Sequence, residues 1–122
     1  MGLKEELQSK VQAEVTEWEG RLQDYRGKIK ELQAKAEQLE GQAKAEYQET
    51  LQKLKAQIEA VEAKIQAGKQ ELEKIAQTTE EALQDLKSGI ESAWESIKLG
   101  AETAWASLKE AAEQAASKFK SS

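Results

Sequence analysis

The sequence predicts an all-α fold, an elongated helical hairpin in which one long helix pairs as an antiparallel coiled coil with a shorter one. Three observations lead there. Proline, which costs about 3 kcal/mol in a helix interior, is absent from all 122 residues. Apolar residues recur in steps of three and four through the first two thirds of the chain, then every eleven residues through the last third. With 34% charged and 5% aromatic residues, the composition is that of long solvated helices rather than of a globule with a thick core. The whole chain, 1–122, reads as one helical domain.

The first element is expected over residues 3–77. Val15, Trp18, Leu22, Tyr25, Ile29, Leu32, Ala36, Leu39 and Ala43 alternate spacings of three and four, as do Tyr47, Leu51, Leu54, Ile58, Val61, Ile65, Gly68, Leu72 and Ile75. That is the a/d seam of a left-handed coiled coil. Between the runs, Leu39, Ala43, Tyr47 and Leu51 step by fours, a skip in register that locally unwinds a supercoil. One glycine among strong helix formers, Gly41, is a weak loop signal, so the helix is expected to continue. The alternative is a turn near Gly41 and a three-helix bundle. Gly68, inside the seam, would leave a gap for a bulky partner.

A second boundary falls at QTTEEAL, residues 77–83. Thr78 followed by Glu81 three residues later has the spacing of a capping box, so a helix is expected to restart here. The second element, 78–120, carries the eleven-residue repeat: EALQDLKSGIE, SAWESIKLGAE, TAWASLKEAAE and the partial QAASKFK align without a gap. Lys87, Lys98, Lys109 and Lys120 recur with them, and so do Glu91, Glu102 and Glu113. Eleven residues at 3.67 per turn keep one stripe in line on a nearly straight helix. The stripe is Leu83, Leu86, Ile90, Trp94, Ile97, Ala101, Trp105, Leu108, Ala112 and Phe119, flanked by Ala82, Ala93, Ala104 and Ala115. This is the expected interaction face. A partner helix fits large Trp beside small Ala, and a lipid surface fits the amphipathic repeat with interfacial Trp.

The same residues narrow the chemistry. There is no cysteine and no histidine, hence no thiolate or imidazole ligand for zinc, copper or haem. No metal or cofactor site and no catalytic residue is expected. Acid pairs such as Glu59 and Glu62 have helical spacing, but acid–base catalysis needs a concave, partly dry pocket. A net charge of −5, with 15 acidic and 13 basic groups in residues 1–79 and 8 and 5 in 80–122, gives no basic face for nucleic acid. No apolar run approaches the roughly 20 residues that span a bilayer. The start, MGLKEELQSK, has no secretory apolar region, and Leu7 stands where myristoylation takes Ser or Thr. A cytoplasmic location, with attachment to a membrane periphery as the alternative, is the expectation.

The order ELQAKAEQLEGQAKAEYQETLQKLKAQ, then TTEEALQDLKSGIESAWESIKLGAETAWASLKEAAEQAASKFK, resembles a group of small bacterial coiled-coil proteins, common in cyanobacteria and catalogued as stress-response proteins. The AKAEY segment at 43–47 and the paired AW…LK repeats ending in ASKFK carry the resemblance over almost the whole chain. Gly41 and TTEE depart from the family pattern, in which a Ser-Gly-Asp-like break precedes the AW repeats. The resemblance implies an all-helical protein without catalytic residues. A looser likeness, on the eleven-residue repeats alone, is to late-embryogenesis-abundant proteins.

The function expected from the sequence is therefore non-catalytic: a self-associating coiled coil acting as scaffold or stress-protective element, with peripheral membrane binding through the repeats as the alternative. A first helix of about 110 Å against a second of about 60 Å would leave apolar seam bare. A homo-oligomer, dimer or larger, is expected on that ground. A protein partner or a membrane surface is the other occupant, and no small-molecule substrate is expected.

Overall fold

The computed structural model describes residues 2–120, the side chains of Phe119 and Lys120 excepted. All regular structure among them is α-helical: α1 spans Leu3–Glu37, α2 Gly41–Gln77 and α3 Glu80–Lys120. The unbroken helix expected over 3–77 is thus two helices, and the break falls beside Gly41, where the alternative placed it. Cross-helix pairs give the directions. Arg26 pairs with Glu62 and Glu19 with Lys69, so α1 and α2 run antiparallel. Tyr47 meets Lys118 and Gly100 meets Lys64, so α2 and α3 do too. Trp18 meets Trp94 and Tyr25 meets Trp105, so α1 and α3 are parallel. α2 packs as extensively on α1 as on α3, while the backbones of α1 and α3 approach each other less closely.

The register skip explains the break. Four-residue steps rotate an apolar stripe around a helix, so a straight continuation would carry Tyr47 and Leu51 off the seam. Instead the amides of Gln38 and Leu39 bond back to Lys35 and Ala36 carbonyls (3.2 and 3.1 Å), tightening the last turn. Glu40 is extended and Gly41 has φ +66°, a left-handed conformation that costs a side-chain-bearing residue about 1–2 kcal/mol. Leu39, half-buried, then covers a small cluster of Ala36, Tyr47 and Leu51. Folding here lets one heptad run bury the other, which the single glycine understates.

The second boundary lies where it was expected, with its caps shifted by one residue. Thr78 closes α2, its hydroxyl donating to the Lys74 carbonyl (2.6 Å), and Thr79 opens α3, its Oγ1 accepting from the Ala82 amide (3.2 Å). The capping box read at Thr78 and Glu81 is therefore replaced by a plain N-cap at Thr79. Thr78, in extended conformation, is already spent on α2.

The core is continuous along the molecule, from Leu7 and Val11 through Trp18, Leu54, Val61 and Trp94 to Leu108 and Ala115. Its centre is Gly68. A β-carbon there would stand 2.8 Å from Val15 Cγ2 and 3.4 Å from the Trp94 ring. Gly68 is the seat on which Trp18 and Trp94 stack, ring centroids 5.4 Å apart. The gap expected for a partner is filled from within the chain.

Candidate functional site

The eleven-residue face lies mostly against α1 and α2. Leu83, Ile90, Trp94, Ala101, Trp105 and Leu108 are buried, and Ile97 and Ala112 are half-buried. Leu86 points outward, 48% exposed. The side chain of Phe119, the last residue read onto this face, lies outside the described residues. Of the flanking alanines, Ala104 and Ala115 are also buried. The heptad seam supplies the facing surface. Val15, Trp18, Leu22, Ile29, Tyr47, Leu51, Leu54, Ile58, Val61, Ile65 and Ile75 are buried, and Tyr25, Leu32, Leu39 and Leu72 are half-buried. Leu7 and Val11 extend that seam toward the N-terminus; their four-residue steps to Val15 were the readable signal.

The tryptophans form a ladder between α1 and α3. Below the Trp18–Trp94 stack, Tyr25 meets Trp105 at 5.8 Å, and the Arg21 guanidinium lies 5.8 Å from the centre of the Trp105 ring. Aromatic pairs at such distances add about 0.5–1.5 kcal/mol beyond area burial. One cost goes with them. The indole Nε1 atoms of Trp94 and Trp105 are buried without an acceptor among the described residues, and an unpaired buried donor costs about 1–3 kcal/mol.

Polar contacts tie both ends of α3. At the near end Glu80 accepts hydrogen bonds from the amides of Leu3 (2.6 Å) and Lys4 (3.2 Å). α1 has no capping side chain of its own, so the first residue of α3 caps it. The small Gly2 permits this, since a β-carbon there would stand 2.9 Å from the carboxylate. At the far end the Tyr47 hydroxyl donates to the Lys118 carbonyl. Between them Lys98 and Glu14 form an ion pair at 3.3 Å across α3 and α1. The hydrogen bond to Glu14 and its charge raise the Lys98 pKa above the ordinary lysine value, against desolvation, with Glu95 and Glu102 adding to the rise. Sequence reading missed all three contacts. Only the absent cap at α1 was a signal.

One part of the α1–α3 interface is left open. The repeat position occupied by Leu83, Trp94 and Trp105 falls next on Ala116, which is exposed. A groove of about 510 Å³ runs here, lined by Tyr25, Leu32, Leu54, Ala112 and Ala116, with lysines and glutamates along its edges.

The bare seam that would call for an oligomer is not found among the described residues, where Leu86 and Leu99 are the large apolar side chains left exposed. None of the helices there is long and apolar enough to cross a membrane. Comparison with protein-family models, with curated proteins and with solved structures finds no match to this chain.

Proposed function

We propose that this chain is a non-catalytic structural and interaction protein, an up-down-up three-helix bundle that engages its partners through α3. The observation that carries the reading is the use made of the eleven-residue face: Trp94 sits on Trp18 over Gly68, and Trp105 sits on Tyr25. A face already covered by its own chain reaches a partner by exchange. The link that would have to open is short, Thr78 and Thr79 between α2 and α3. A second copy of the chain reproduces every contact that α3 gives up, so self-association proceeds by swapping α3. The stress-protective role comes from the sequence resemblance alone.

A second reading is favoured by the two unpaired indole N–H groups. At the headgroup level of a bilayer an indole keeps its ring in apolar surroundings and its N–H among acceptors. α3 released at Thr78 and Thr79 would lie on lipid through the same stripe. Its acidic balance, 8 against 5 in residues 80–122, weighs against attraction to an anionic surface.

Light scattering after size exclusion separates the two. Exchange of α3 gives a dimer that forms on partial unfolding and refolding at high concentration, and dissociates slowly on dilution. A chain that stays monomeric through that cycle and floats with neutral vesicles would establish the second reading instead.

A further inference from the structure

We propose that the groove between the far halves of α1 and α3 binds a single-chain anionic amphiphile, a medium-chain fatty acid in its carboxylate form. The repeat provides the cavity. Trp94 and Trp105 fill the α1–α3 interface at their repeat position, and the next residue in that position is Ala116. Where an indole would continue the ladder below Trp105 there is a groove of about 510 Å³, inside the range of about 300–1,000 Å³ usual for small-ligand sites. Its floor is apolar: Leu54 of α2 is fully buried beneath it, and Tyr25, Leu32 and Ala112 are half-buried along its walls. From Tyr25 to Lys35 it follows α1 for about 15 Å, at 1.5 Å per residue. That shape takes a chain better than a compact ring system.

The edges choose the head group. Lys28, Lys35 and Lys109 stand there with Glu31 and Glu113, a positive balance on a chain whose net charge is −5. Lys28 lies 5.2 Å from the centre of the Tyr25 ring. Lys35 and Lys109 make no ion pair with a described residue. A carboxylate at the mouth meets those ammonium groups while its chain displaces water from the floor. Binding of this kind needs α3 packed against α1, its own or a second copy's, and is lost where α3 lies on a bilayer.

The test is calorimetric titration of the full chain with sodium decanoate below its micelle concentration. One decanoate per chain is expected, with affinity falling about fourfold for each methylene removed from the ligand, and with decyltrimethylammonium binding at least several-fold more weakly. Ala116→Trp, which restores the repeat, should abolish binding while circular dichroism shows the helices intact. Should that variant not fold, Lys35→Glu with Lys109→Glu, at surface positions, decides the matter. It should weaken decanoate binding several-fold and narrow the preference over the cationic ligand. No binding by the parent chain, or unchanged affinity in a folded variant, overturns the proposal. So does binding to phosphatidylglycerol vesicles with none to dissolved decanoate, since the surface would then serve a bilayer.

Discussion

The two halves of the α1–α3 interface carry the same repeat and pack differently. In the near half, Trp94 and Trp105 reach across to Trp18 and Tyr25, and Gly68, with no side chain, leaves room for them. In the far half, Ala112 and Ala116 face Leu32, and the helices leave a groove. The eleven-residue period keeps a face in line along a helix. What the face does is decided by the sizes placed on it and by what stands opposite. Period alone would give equal burial to Trp94 and Ala116, yet one is buried and the other exposed.

The largest effect should come from removing the near half's contacts. Trp94→Ala takes out a buried indole from the stack over Gly68 and is expected to cost about 3–5 kcal/mol. That is a large share of the roughly 5–15 kcal/mol that holds a domain of ordinary stability. Urea unfolding followed by circular dichroism measures it, and a loss below about 1 kcal/mol would mean that the stack is not a keystone of the fold.

The glycines sharpen the comparison by sign. At Gly68 the new methyl of an Ala would press on Val15 Cγ2, a stiff side chain, and overpacking of this kind costs about 1–3 kcal/mol. The better helix propensity of Ala returns only about 1 kcal/mol. Gly68→Ala should therefore lower the melting temperature. Gly89, with nothing within 4 Å of its β-carbon position, should show the opposite, a gain of up to about 1 kcal/mol on Gly89→Ala. Equal shifts in one direction would remove Gly68 from its role as a seat.

A smaller loss is expected at the near end of α3. Glu80→Ala strips the α1 amides of Leu3 and Lys4 of their acceptor and should cost about 0.5–2 kcal/mol, as other N-cap removals do. Hydrogen exchange should show the first turn of α1 fraying while the centre of the molecule keeps its protection.

The smallest effect is the pH dependence of the Lys98–Glu14 pair. Because the folded state raises the Lys98 pKa, its contribution is whole below the unfolded lysine value of about 10.4 and is lost as pH rises through the higher folded value. At this partly exposed site the loss should stay within about 1 kcal/mol, and Lys98→Met should flatten the profile above that pH.

Much of the fold was legible because helix periodicity is a local signal. The seam from Val15 to Ile75 and the face from Leu83 to Leu108 could be read from the period, Leu86 excepted, which points outward, and so could the boundary near Thr78. The turn at 38–40 was harder. Its local cue was one glycine, whereas its cause is the mutual burial of two seams that meet from Ala36 and Tyr47 beside the turn to Val15 and Gly68 at the centre. The link from Glu80 to Leu3 spans 77 residues, and the link from Tyr47 to Lys118 spans 71. Neither residue type announces such a role. Gly68 was visible as a gap, but what fills a gap depends on how helices align.

The central claim is that the eleven-residue face of α3 is packed on α1 and α2 of its own chain. Tryptophan emission of a Trp18→Phe variant tests it most directly, since Trp94 and Trp105 then report alone. Blue-shifted emission in buffer is expected, poorly quenched by acrylamide, the same across protein concentration and unchanged by vesicles. Solvent-like emission from the dilute chain, turning blue only at high concentration or only with vesicles, would contradict it.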